Sequence, residues 1–215
     1  MARPTSSTRG APLIDILLRR GTDLNTIRAL FTTHLHGDHV NGVLAFADLI
    51  NWHFKTARAQ IWLTEKEGVS LFRQLITLTE GMAIDESRVN FRTEKPGPFY
   101  EDENLRVTAI PTQHCPDSHA FFVEAEGKAV LFTGDLKHPN VDFPKIAKEK
   151  PTEFVICAAA HFPATNYAPV LAACPTKQVL VNHYAPWNIP NVMQLAETLA
   201  PLPVKFVNDG MQITL

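Results

Sequence analysis

The stretch "ALFTTHLHGDHVNGV", residues 29–43, decides how this chain is read. Four metal-competent side chains, His34, His36, Asp38 and His39, fall within six positions, directly after a short apolar run. A helix would hold His34 and Asp38 on one face. The β-branched and aromatic residues ahead of them, and Gly37 between them, argue against it. In an extended strand end, side chains two apart point the same way, so His34 and His36 converge. Gly37 then lets the chain turn, and Asp38 and His39 aim at a second, neighbouring point. Four ligands from one short loop suit two adjacent metals better than one. Neutral imidazole and carboxylate suit zinc, and manganese or iron tolerate the same ligands. The competing explanations are a structural zinc and an incidental surface histidine group. Structural zinc sites lean on cysteine, and Cys115, Cys157 and Cys174 have no zinc-knuckle spacing.

Two metals need more ligands than this loop supplies. The rest of the chain offers three, each just after a strand-like run. "VTAIPTQHCPDS" ends a strand at His114, "AVLFTGD" at Asp135, and "QVLVNHYAPW" at His183. Strand ends gathered at one rim of a sheet are where a rigid site is most easily built. Taken singly, His114 reads as well as a hydrogen-bonded surface residue, Asp135 as a turn cap and His183 as a core histidine. Only the set raises them to ligands.

The bulk numbers frame this site without pointing to another. At 215 residues the chain is most simply one domain over 13–215, behind a loose polar lead-in over 1–12. A formal charge of −2 gives no basic footprint for a nucleic-acid backbone. Three irregularly spaced cysteines argue against a disulfide framework. No window approaches the roughly 18 apolar residues of a membrane span, and the first residues lack a signal-peptide core, so a cytoplasmic protein is expected. "LIDILLRRG" predicts a short helix stopped by Gly21, "IRALFTT" and "AQIWL" strands, and 41–54 a helix. Residues 65–82 predict a helix with Val69, Phe72, Leu75, Ile76 and Leu78 on one side. "RVNFR", "LRVTAIPT", "HAFFVEA", "KAVLFTG", "EFVICAAA" and "KQVLVNH" read as strands, the third and fourth joined in a hairpin at Glu126-Gly127. "NVMQLAETLAPL" is the last helix, and "VKFVNDGMQITL" a closing strand pair turning at Asp209-Gly210. The class is α/β, with two sheets or one large sheet covered by helices.

With these residues in hand, the chain resembles the metallo-β-lactamase-fold hydrolase superfamily. Its H-x-H-x-D-H motif matches residues 34–39, and His114, the Gly134-Asp135 pair and His183 follow in the family's order. The resemblance covers roughly 13–215 and implies an αββα sandwich with the site at one edge. It implies that His34, His36 and His114 bind one metal, that Asp38, His39 and His183 bind the other, and that Asp135 bridges them. The two cations would most often be zinc. Between them they would activate a water, with Asp38 also accepting its proton. "LLRRGTDLNTIRALFTTHLHGDHVNGV" and "VNHYAPW" look most like the branch of ribonuclease Z and related phosphodiesterases. That likeness implies a nucleotide-like or other small-molecule substrate and no membrane.

The chain also departs from the pattern. No Gly-rich basic arm is present. The branch's His-Glu-Ala-Thr run is replaced near its place by "CAAAH", residues 157–161. His161, or alternatively His119, is expected as the proton donor to the leaving group, with a role behind the ligands or a purely structural one the alternative for His161, while His119 at a strand start is expected at the surface. Family members open with further strands and an Asp-x-Gly turn, whereas here Asp15 is followed by Ile16. The expectation is an N-terminally truncated copy, or a homodimer whose partner covers the open edge. Lactone, thioester or β-lactam hydrolysis on the same ligands is the alternative activity, and a non-catalytic metal-binding member the alternative class. His53 and His138 read as surface residues. Trp52, Trp62 and Trp187 read as packing, Trp187 nearest the site mouth. Tyr184 is either a substrate contact or a core aromatic.

Overall fold

The leucine-rich segment ahead of the histidine loop forms α1 (Leu13–Arg19), ended by Gly21 at φ 67°, a left-handed turn that favours glycine. In this computed structural model of the protein, residues 13–213 are described, and the lead-in expected over 1–12 lies outside them. The apolar run before the histidines is a strand for only three residues, β1 (Ala29–Phe31). Then come α2 (Gly37–Trp52), β2 (Ala59–Leu63), α3 (Lys66–Glu80) and β3 (Val89–Thr93). The strands pair in parallel in the order β1-β2-β3, each connection crossing over through a helix. Alternate residues Ala59, Ile61 and Leu63 of β2 are buried against Val43, Phe46, Ala47 and Ile50 of α2. At the far end of α2, the Arg88 guanidinium donates to the carbonyls of Ile50, Asn51 and Phe54. It closes the helix's negative end with a fixed cation.

The side expected to be apolar on α3 is only partly right. Val69 and Ile76 are buried and Phe72 packs against them, but Leu75 is 43% and Leu78 81% exposed. The buried stripe is narrower than the periodicity implied, because α3 covers only the flank of a three-stranded sheet.

The described residues divide between Glu94 and Lys95 into two compact units, each with its own apolar core. The second begins with β4 (Gly97–Glu101), which sequence reading missed because it opens Gly-Pro. It continues with β5 (Leu105–Pro111), β6 (His119–Ala125), β7 (Lys128–Phe132), α4 (Pro139–Asp142) and α5 (Ile146–Glu149). β8 (Thr152–Ala159), α6 (Ala168–Leu171), β9 (Thr176–Tyr184), α7 (Ile189–Leu199) and β10 (Val204–Phe206) complete it. Seven strands form one sheet in the order β10-β9-β8-β7-β6-β5-β4. The expected hairpin at Glu126-Gly127 joins β6 to β7. The expected closing hairpin at Asp209-Gly210 is not there. β10 pairs in parallel with β9, and 207–213 carry no strand. Phe122, Leu131, Val155, Val179, Val181 and Leu195 are buried in the core of this unit.

Strand direction positions the chemistry. β5 runs antiparallel to β6 and β6 to β7, so β5 and β7 point the same way, and β8 and β9 lie parallel to them. The C-terminal ends of β5, β7, β8 and β9 therefore fall at one rim of the sheet. Residues 114, 135, 161 and 183 are located at those ends.

Candidate metal centre

In the first unit, α2 begins at Gly37 rather than near residue 41, so Asp38 and His39 occupy the helix's first turn. An acidic side chain is favoured there by the positive end of the helix dipole. His36 precedes it in extended conformation. The two strand-end histidines converge as expected: His34 Nε2 lies 3.1 Å from His36 Nδ1. His39 converges too, its ring centroid 4.0 Å from that of His34 and its Nε2 3.9 Å from Asp38 Oδ2. His34 is fully buried. Thr33, which no sequence signal singled out, lies between two imidazoles, its Oγ1 3.1 Å from His34 Nδ1 and 3.4 Å from His39 Nδ1. One hydroxyl thereby sits on the Nδ1 side of both rings and helps to orient them. Gly68 of α3 holds the loop from behind, since a Cβ there would meet Leu35 Cδ1 at 2.7 Å.

In the second unit, three imidazoles surround one carboxylate oxygen. Asp135 Oδ2 is 3.7 Å from His114 Nε2, 3.4 Å from His183 Nε2 and 2.9 Å from His161 Nε2. Asp135 is 2% exposed and His183 8%, whereas the His161 side chain is 47% exposed. The ligand atoms of His114, Asp135 and His161 lie within 4.8 Å of one another. Backbone strain marks His183. It has φ 45° and sits where β8 and β9 slip register, with Ala158 opposite Asn182 and Ala159 opposite Tyr184. This bulge turns the imidazole out of the strand's alternation.

The donor chemistry fits zinc. Tetrahedral ligands at ~2.0–2.1 Å from the ion lie about 3.4 Å from one another. The spacings of Asp135 to His183 and His114 fall close to this value, while His34 Nε2 and His36 Nδ1 stand at hydrogen-bond distance. The 2.9 Å between His161 and Asp135 is instead a hydrogen bond in which the carboxylate accepts. Burial pushes the Cys157 thiol well above its ordinary range and the Cys174 thiol to about 11, so both stay neutral, Cys157 in the core and Cys174 packed against it.

The frame around these candidate residues is what the sequence hid. Asp142, at the end of α4, accepts from the backbone N–H of Gln113 at 2.7 Å, Lys137 at 3.0 Å and His138 at 3.1 Å. Asn188 is fully buried, its side-chain amide donating to the carbonyls of Ala159 and Phe162 while its oxygen accepts from Ala164 N–H. It fixes the loop that carries His161. Of the remaining expectations, His53 is exposed, while His138 caps α4 and lies 3.0 Å from Asn166 Nδ2. Trp52 and Trp62 are partly buried, but Trp187 is 56% exposed rather than packed. Tyr184 donates to Asn208 Oδ1. His119, expected at the surface, is buried at the start of β6 because it pairs with Pro111 inside the sheet.

A family model described as anti-Pycsar protein Apyc1 matches residues 10–169. The chain belongs to the anti-Pycsar protein Apyc1 family. Among solved structures, this Apyc1-family chain is similar to the metallo-β-lactamase-fold protein YhfI of Bacillus subtilis. The TM-score is 0.71 and the identity 14%, over 93% of this chain and 82% of that one. It is also similar to the short form of human tRNase Z, with a TM-score of 0.67 and 16% identity over 92% and 83% of the two chains. The fold is the metallo-β-lactamase fold, as the histidine motif implied. Ribonuclease Z of Listeria innocua is 27% identical over 144 residues, which is 66% of this chain and 46% of that protein. The Apyc1-family chain thus spans about half the length of this relative. Among the described residues, no helix is long and apolar enough to cross a membrane.

Proposed function

We propose that this protein is a metal-dependent phosphodiester hydrolase with a dinuclear centre. The observation that carries the reading is the cage of imidazoles around Asp135 at the strand-end rim. It is supported by a second imidazole cluster in the histidine loop and by likeness to proteins named ribonuclease Z. In this reading His34, His36 and His114 hold one cation, Asp38, His39 and His183 the other, and Asp135 both. Zinc is the cation favoured by the ligand set, with manganese or iron as substitutes. Bound metals supply a water acidified toward a pKa of ~7 and Lewis-acid polarisation of the electrophile.

The chain's own residues do the rest. The Asp38 side chain is 45% exposed, open to solvent and able to take up the proton released by the attacking water. His161 Nε2 carries a proton toward the Asp135 carboxylate, and its half-exposed ring can reach a leaving-group oxygen. His119 is too buried for that role. The substrate is a phosphodiester of nucleotide character, with a single polarised phosphorus.

Elemental analysis of the purified protein is expected to give about two metals per chain, alongside cleavage of bis(p-nitrophenyl) phosphate. Asp135→Ala should abolish that cleavage and reduce bound metal. A metal-free protein with a native circular-dichroism spectrum would overturn the reading. Cleavage of homoserine lactones with none of the phosphodiester would move the activity to acyl substrates.

A further inference from the structure

We infer that Asp142 is a positioning residue for the metal centre, the brace that holds two ligand-bearing loops in one register. The inference rests on the proposed function and goes beyond its ligand set. Asp142 is buried and reaches no substrate. Its Oδ2 accepts from Gln113 N–H, one residue ahead of His114, and from Lys137 N–H, two residues past Asp135. Its Oδ1 accepts from His138 N–H. One carboxylate oxygen is therefore shared between the loop after β5 and the loop after β7. A second link runs between the same loops, from Thr112 Oγ1 to the carbonyl of Asp135 at 3.4 Å. The His114 loop is braced internally as well: Ser118 Oγ donates to the Cys115 carbonyl at 2.8 Å and lies 2.7 Å from Thr112 Oγ1.

A carboxylate takes all three N–H groups readily, because it offers two acceptor oxygens and no donor. Asparagine can keep two of the three bonds, but only by setting its own N–H₂ against the His138 N–H. Alanine keeps none. Loosening the brace leaves every proposed ligand in place and removes only the fixed separation of His114 from Asp135. Groups that orient metal ligands from behind typically change affinity by ~10–100-fold when lost.

Asp102 supplies a matched control in the same unit. It also accepts three hydrogen bonds, from Asn104 N–H, Leu105 N–H and the Tyr100 hydroxyl, but it does so in the β4–β5 hairpin, where no proposed ligand sits. Zinc affinity is measured by chelator competition, and thermal midpoint by calorimetry, on the full chain and on D142N, D142A, D102N and D102A. Zinc is expected to bind ~10–100-fold more weakly to D142A, with D142N between it and wild type. The Asp102 variants are expected to lose thermal stability yet keep wild-type zinc affinity. Zinc affinity in D142A within about twofold of wild type would overturn the inference, as would equal weakening in D102A. If D142A does not fold, D142N decides by the same criterion. A wild-type chain that binds no zinc fails the parent reading itself, and this inference with it, a result distinct from intact binding in every variant.

Discussion

His183, a proposed ligand, sits on a backbone its residue type disfavours. An L-residue in the left-handed region costs roughly 1–2 kcal/mol, and such strain persists where the surrounding structure imposes it. Here the slipped register of β8 against β9 imposes it. His183→Gly is therefore expected to unfold at higher urea than His183→Ala, by about 1 kcal/mol, while both bind metal more weakly than wild type. Equal stability of the two variants would show that the bulge relaxes when the imidazole goes. The candidate residues were legible only as a set, because a His or Asp after one strand-like run reads equally well as a surface, cap or core residue. The strain, the Thr33 hydroxyl between two rings and the Asp142 brace were not. Each depends on atoms that only the folded backbone brings together: Gln113 and Asp142 are 29 positions apart.

Helices and strands were read with mixed success, and the misses share a cause. Periodicity locates an apolar face but not what lies opposite it. It placed Leu75 and Leu78 of α3 inside, where the sheet is too narrow to cover them. It began α2 too late because Gly37, Asp38 and His39 are polar or weak helix formers, although a helix's first turn accepts such residues. β4 was lost to its Gly-Pro start, and the final hairpin was assigned from an Asp-Gly pair that does not join two strands here. The clearest lever at this scale is Arg88. Its planar fork reaches three carbonyls at the end of α2, which a lysine ammonium on a flexible stem cannot match. Arg88→Ala is expected to lower the unfolding free energy by about 2 kcal/mol in urea titrations, and Arg88→Lys to recover only a small part of it. Full recovery by lysine would mean that charge at the helix end, not geometry, is what counts.

At the scale of the molecule, the sequence left open whether its strands form one sheet or two. The described residues contain a parallel sheet of three strands and a mixed sheet of seven, each with its own core. Neither count could be read from the chain, because strand order depends on pairing across connections that carry no local signal. The histidine loop belongs to the first of these units, and His114, Asp135 and His183 to the second. If the proposed ligand set is right, metal binding must stabilise both units at once, since binding to the native state alone contributes RT ln(1 + [L]/Kd), about 2.7 kcal/mol at a hundredfold excess over Kd. Hydrogen exchange followed by mass spectrometry, with zinc and after chelation, reads this directly. Chelation should speed exchange of amides near residues 32–40 and also near 112–118 and 133–138. Faster exchange confined to one set of amides would mean that the histidine loop and the Asp135 cage bind metal separately or that one binds none, and the shared dinuclear centre would have to be abandoned.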